Sequence, residues 1–192
     1  MAELSSVCVF LGSSTGSNPA NAEATIAMGN ELLRRDLTLI YGGGAVGLMG
    51  LLADTVMQGG GRVIGIIPRN LFSREVAHQG LTELIETVDM HERKALMYER
   101  SDAFAALPGG FGTLDELAEI STWRQIGTHN KPVGVVNTDG YYTHLLSWLD
   151  RVVTDGLLSA DNRGLLHSAD TSAALLDLFA SDDQTASPKW DS

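Results

Sequence analysis

The sequence predicts an α/β fold, a parallel sheet covered by helices on both faces, from three observations. Short apolar runs alternate with longer amphipathic stretches along nearly the whole chain. Glycine clusters fall directly after three of those runs and lead towards a helix. The 192 residues, 44% of them hydrophobic, contain no internal repeat and no linker dividing two cores, so one domain is expected.

Taken in order, the elements read as follows. Residues 6–11, with the unbroken Val7-Cys8-Val9-Phe10, form a first strand, and 19–35 an amphipathic helix. Residues 37–41 (LTLIY) are a second strand, followed by a glycine cluster and a helix over 46–58. Residues 62–67 (RVIGII) and 84–88 (LIETV) are the third and fourth strands. A helix over 91–100, a strand at 103–107 (AFAAL) and a helix over 114–126 come next, then a strand at 132–136 (PVGVV) and a helix over 141–153. The longest connection, 68–80, has mixed charge and reads as a mobile flap. The domain is drawn as 1–180, and the polar segment 181–192 (SDDQTASPKWDS) as a disordered tail.

Composition narrows the function classes. A net charge of −11 argues against nucleic acid or an anionic membrane as partner, yet leaves room for a phosphate held by local amides and a few cations. Cys8 is the single cysteine and lies in an apolar run, so it reads as an inert core thiol. No signal peptide and no apolar run approaching 18 residues is visible, so a cytoplasmic location is expected. The five histidines are scattered without i,i+4 pairing or a cysteine partner, which speaks against zinc. No G-x-S-x-G elbow is present.

The glycine clusters carry the functional signal. They are Gly12-Ser13-Ser14-Thr15-Gly16, Gly42-Gly43-Gly44-Ala45-Val46-Gly47 and Pro108-Gly109-Gly110-Phe111-Gly112-Thr113. In a parallel sheet the carboxyl ends of the strands line the ligand crevice, where glycines let main-chain amides approach an anion at a helix N-terminus. One such cluster is equally well a tight turn, but three on one sheet edge point to a phosphate. Gly12, Ser14, Gly43, Gly44 and the third loop are the candidate phosphate contacts. Gly42, Gly44 and Gly47 also match G-x-G-x-x-G, the dinucleotide fingerprint. That motif belongs after the first strand, with a carboxylate closing the next one, whereas this one follows the second and the third strand ends Ile67-Pro68-Arg69.

Two charged groups could do chemistry beside such a phosphate. Thr113-Leu114-Asp115-Glu116 fits a capping box, with Thr113 as N-cap and Glu116 at N3, and spacing alone favours this structural role. The same placement would let Glu116 reach the sugar of a phosphate held at the helix start and stabilise positive charge there. Arg93 and Lys94 sit at the start of a helix, where cations oppose the dipole, and that mismatch points modestly to a ligand. A solvated surface pair explains them equally well.

Pro108-Gly109-Gly110-Phe111-Gly112-Thr113-Leu114-Asp115-Glu116 fits P-G-G-x-G-T-x-x-E. With Tyr41-Gly42-Gly43-Gly44-Ala45-Val46-Gly47-Leu48-Met49-Gly50, Met90-His91-Glu92-Arg93-Lys94, and the stretch from Lys131-Pro132-Val133-Gly134 to Asp139-Gly140-Tyr141-Tyr142, it gives four matches in order. On them the chain resembles the LOG ("Lonely Guy") family of cytokinin riboside 5′-monophosphate phosphoribohydrolases, often labelled lysine decarboxylases. The resemblance spans residues 7–169; Leu11, where relatives often have cysteine, departs from it. It implies a Rossmann-like doubly wound single domain, usually a homodimer, and hydrolysis of N6-substituted AMP to free base and ribose 5-phosphate, with plain AMP as a further substrate and no metal or cofactor. It also implies Arg93 and Glu116 as the catalytic pair, with Glu75, Arg93, Lys94 and the loop Gly109, Gly110, Phe111, Gly112, Thr113, Leu114, Asp115 and Glu116 contacting the nucleotide. The alternative is a non-catalytic carrier of a phosphorylated ligand, such as the related molybdenum-cofactor carriers, which needs the glycine loops but not the Arg93–Glu116 pair.

Overall fold

The apolar runs become strands β1 (Ser6–Phe10), β2 (Thr38–Tyr41), β3 (Val63–Pro68), β4 (Glu83–Thr87), β5 (Ala103–Ala106), β6 (Val133–Val136) and β7 (Leu166–Ala169). The helices are α1 (Pro19–Arg34), α2 (Gly47–Gln58), α3 (Arg69–Phe72), α4 (Met90–Glu99), α5 (Phe111–Gln125), α6 (Thr143–Thr154), α7 (Ala160–Gly164) and α8 (Ser172–Ala180). This computed structural model describes residues 4–72 and 77–185. All seven strands lie parallel in one sheet, ordered β4-β3-β2-β1-β5-β6-β7.

The order follows from the chain's path. Four strands step outward from β1 to β4, and the next crossover returns the chain to the other side of β1, where β5 pairs Val7 with Ala103 and Phe10 with Ala106. Connections from β1 and β5 therefore leave in opposite directions, which opens a crevice at their carboxyl ends. Alternation along β1 divides the core. Val7, Val9 and Leu11 pack into the layer with α1, α2 and α8, while Cys8 and Phe10 face the layer with α4 and α5. Both faces are covered, as the unbroken apolar runs predict.

Four differences from the sequence reading are physical. The chain adds β7, α7 and α8, which close the sheet edge beyond β6. Helix α5 begins at Phe111, three residues before the expected 114. The 68–80 connection contains α3 and an antiparallel bridge from Ala77 to Gly44, so its described part is tied down. The segment expected to be a loose tail from 181 starts anchored. Asp182 is buried against Arg124 and accepts from its guanidinium, and Arg124 Nη2 also donates to Gln184 O at 3.3 Å. Residues 186–192 lie outside the described residues. No helix among the described residues is long and apolar enough to cross a membrane.

Candidate active site

Three glycine loops meet where β2, β1 and β5 end side by side. Gly12 N donates to Pro108 O at 3.1 Å, stitching the first loop to the third, and Leu48 N donates to Gly12 O at 3.1 Å, tying in the second. The approach is close enough to require glycine at two points. Gly47 has φ +60° and presses on the Ser13 backbone, and a Cβ at Gly109 would strike Thr113 Oγ1. Tyrosines after β6 brace the third loop, Tyr142 OH donating to Leu107 O at 2.6 Å and Tyr141 OH to Gly109 O.

A cleft of about 190 Å³ opens at this meeting point. Its floor is the end of β1 (Val9, Phe10, Leu11), and its walls are Gly12, Ser13, Gly42, Met49 and the start of α5. Helix α5 opens on Gly110, which has no side chain to cap it. The first intrahelical bond runs from Leu114 N to Gly110 O, so the amides of Phe111, Gly112 and Thr113 have no partner within the helix. These three residues and Gly110 line the cleft. The helix start thus presents unpaired N–H groups and the positive end of its dipole.

Arg93 and Glu116 line the same cleft. Asp89 caps α4 by accepting from His91 N and Glu92 N, both at 2.9 Å, and this sets the turn that aims Arg93 inward. Arg93 Nε donates to Ile66 O at 3.0 Å at the end of β3, and its Nη1 stands 3.4 Å from Glu116 Oε1. Both side chains are about one-tenth exposed. Burial pushes the Glu116 carboxyl up to about 7, against the pull of Arg93; Asp115 and Glu119 add to the rise and Lys94 opposes it. A buried acid balanced near neutrality, held by a guanidinium in a cleft, has the character of an acid–base or charge-stabilising group.

The capping box does not form, because α5 starts three residues early and places Thr113 at the third helical position and Glu116 at the sixth. Glu116 is therefore free of the capping role that spacing favours. Of the other candidates, Gly12, Gly110, Phe111, Gly112 and Thr113 line the cleft with the charged pair, and Gly109 lies just behind Thr113. Others sit elsewhere. Gly43 (φ +76°) packs on Ile66 and Ile67, and its carbonyl accepts from His78 N; the Gly44 carbonyl accepts from Tyr41 OH. Ser14 is exposed and its Oγ accepts from Gly16 N. Lys94 pairs with Asp115 and Glu119, and Leu114 faces an apolar groove. Glu75 lies outside the described residues. Sequence reasoning missed Gly42 and Met49 as walls; Gly42 stood in the second glycine string but entered the reading only through the dinucleotide fingerprint.

A larger groove of about 330 Å³ lies between α5, α6 and α7, lined by Leu114, Leu117, Trp148, Leu149 and Val152. It is mostly apolar and does not include Arg93 or Glu116, so it offers surface rather than chemistry.

Residues 49–179 match a family model described as "possible lysine decarboxylase". Cytokinin riboside 5′-monophosphate phosphoribohydrolases LOG3 and LOG7 of Arabidopsis thaliana are each 49% identical over 170 residues. That length is 88% of this chain, and 79% and 78% of theirs. Among solved structures, the molybdenum cofactor carrier protein of Chlamydomonas reinhardtii superposes with a TM-score of 0.70 at 18% identity, covering 93% of this chain and 99% of that one. The molybdenum cofactor binding protein of Rippkaea orientalis gives 0.68 at 20%, covering 93% and 96%. At these identities the structural likeness is one of fold.

Proposed function

The chain belongs to the LOG family of phosphoribohydrolases, and on that premise we propose that it hydrolyses the N-glycosidic bond of N6-substituted AMP, releasing the free base and ribose 5-phosphate. The observation that carries the reading is the buried Arg93–Glu116 pair facing the uncapped start of α5 across one small cleft. In it, the 5′-phosphate sits on the amides of Phe111, Gly112 and Thr113, and this fixed anchor presents the ribose to Glu116.

As the bond from C1′ to the base nitrogen breaks, its electron pair leaves with the base and positive charge builds on the ribose. An ionised Glu116 stabilises that charge more than it stabilises the neutral ground state. Water then adds its oxygen to C1′ and gives a proton to the Glu116 carboxylate, the departing base takes up a proton from solvent, and Glu116 returns its own to solvent before the next turnover. Arg93 offsets part of the burial that favours the protonated form and keeps the carboxylate aimed, and no step calls for a metal or cofactor. A carrier of the kind named among the structural neighbours would need the amides but would have no use for a buried charged pair.

We read the active form as a cytoplasmic homodimer that handles no nucleic acid. The apolar groove and helix α6, which has no buried residue and leaves Trp148 60% exposed, support a second copy as cover. The charge of −11 supports the last point, and a lone buried Cys8 suits a reducing compartment.

The test is chromatography of free bases after incubation with AMP, GMP, CMP and isopentenyl-AMP, for wild type and Glu116→Gln. Base release from isopentenyl-AMP that vanishes in the variant is expected. Wild-type turnover retained in Glu116→Gln refutes the catalytic assignment, and a tightly held phosphorylated ligand with no base release favours the carrier.

A further inference from the structure

Lys94 follows Arg93 on α4, and its ammonium reaches across to α5 just as the guanidinium does. Its Nζ lies 3.3 Å from Asp115 Oδ2 and 3.0 Å from Glu119 Oε2, and its side chain is mostly buried. Asp115 and Glu119 stand immediately before and one turn after Glu116, so they flank it on the same helix. Two parallel links therefore join α4 to α5: Arg93 to Glu116 inside the cleft, and Lys94 to both flanking carboxylates beside it.

We propose that Lys94 is a positioning residue for the reaction, which locks α4 against α5 in the register that brings Arg93 to Glu116 and neutralises the two carboxylates beside it. This rests on the reading of Arg93 and Glu116 as the catalytic pair. The ammonium is engaged by two carboxylates and does not line the glycine cleft.

The charged and titratable groups facing Glu116 are Arg93 and Lys94 from α4, Asp115 and Glu119 from its own helix, and the Cys8 thiol from β1. Without Lys94, Asp115 and Glu119 would act on Glu116 uncompensated. Both raise its proton affinity, so the ionised form that the reaction needs would become scarcer at neutral pH.

The test compares wild type with Lys94→Met, Lys94→Arg, Glu119→Gln and the double variant Lys94→Met/Glu119→Gln. Two readouts are taken: the carbon-13 NMR titration of Glu116 in the free protein, assigned by its absence in Glu116→Gln, and kcat and KM for isopentenyl-AMP across pH. In Lys94→Met the titration midpoint should rise by roughly one pH unit, and kcat at pH 7 should fall roughly fivefold as the ionised fraction shrinks, with KM little changed. Lys94→Arg should keep the wild-type midpoint, the double variant should recover most of the shift, and Glu119→Gln alone should lower the midpoint. A raised KM with an unmoved midpoint makes Lys94 a substrate contact and overturns the proposal, as does a Lys94→Met enzyme indistinguishable from wild type. If Lys94→Met does not fold, Glu119→Gln and Lys94→Arg decide: an unmoved midpoint in the first, or a moved one in the second, refutes it. If wild type hydrolyses nothing, the reading of function fails, while the NMR titration still decides the role of Lys94.

Discussion

Replacing Gly42 with alanine probes the site at the point where it has no room for another atom. Gly42 has a backbone conformation open to any residue, so the change carries no intrinsic strain. A Cβ there, however, would fall on Arg93 Nη2, with Met49 Sδ 3.5 Å away on the other side. The guanidinium is the movable party, and moving it separates Arg93 from Glu116. At 3.4 Å and an effective dielectric of about 20, the gross attraction between two unit charges is roughly 5 kcal/mol. Net of rehydration, coupling between close, desolvated charges starts at about 1.5 kcal/mol, which corresponds to at least about a tenfold fall in kcat. Glu116 also loses the cation that opposes its burial, so the acidic limb of the pH–rate profile should move upward from about 7. The assay is kcat and KM for isopentenyl-AMP between pH 5 and 9, with a thermal melt beside it to show an intact fold. A folded Gly42→Ala enzyme with wild-type kcat and an unmoved acidic limb would refute the claim that Arg93 must sit where it does.

Three further outcomes follow from the same structure. Burial keeps Glu116 protonated up to about 7 in the folded state against 4.5 when unfolded, so folding takes up a proton between those values and wild-type stability falls as pH rises through that window. Glu116→Gln should therefore match wild type near pH 4 and exceed it above pH 7, by up to about 3 kcal/mol or several degrees in Tm; equal melting temperatures at pH 8 would contradict the elevated carboxyl. Asp182→Asn leaves the 1%-exposed Arg124 guanidinium without its counter-charge and should cost about 3–5 kcal/mol in urea denaturation, with kcat retained below the melt; an unchanged urea midpoint would show that the C-terminal anchor adds nothing. Phe111 lines the cleft with its ring 92% exposed, so Phe111→Ala should leave Tm alone and raise KM by about two- to tenfold through lost contact with the ligand; an unaltered KM would remove it from the binding surface.

The sequence's legibility had physical limits. Strands β1, β2, β3, β5 and β6 announce themselves because helices bury both faces, which forces continuous apolar runs such as Val7-Cys8-Val9-Phe10, whereas β4, at the edge, keeps only a short apolar centre at Leu84 and Ile85. Strand β7, Leu166-His167-Ser168-Ala169, lies half-buried at the sheet edge, and nothing in its composition separates it from a loop. The anchoring of Asp182 was invisible for another reason: its partner Arg124 lies 58 residues away, and only the fold joins them. Helix α8, by contrast, carries the buried stripe Leu175, Leu176 and Phe179, which periodicity could have shown.

At the site, residue types were legible from the chain itself, and their pairing only through the family resemblance. Arg93 and Glu116 meet because the crossover after β4 brings β5, and with it α5, back to the middle of the sheet. Thr113 hid the role of Glu116 by imitating a cap, and only the actual start of α5 at Phe111 separates the two. On the proposed reading, that start also lets a chain of charge −11 accommodate a phosphate. Distant surface charges are screened within about 10 Å, so the potential in the cleft is set by what lines it. Lys94 is already engaged by Asp115 and Glu119, and Arg93 by Glu116. A phosphate that drew Arg93 away would leave Glu116 protonated and unable to stabilise a developing cation. The site works only if anchoring and chemistry use different groups: main-chain amides of α5 for the phosphate, and the one buried guanidinium of the cleft for the carboxylate.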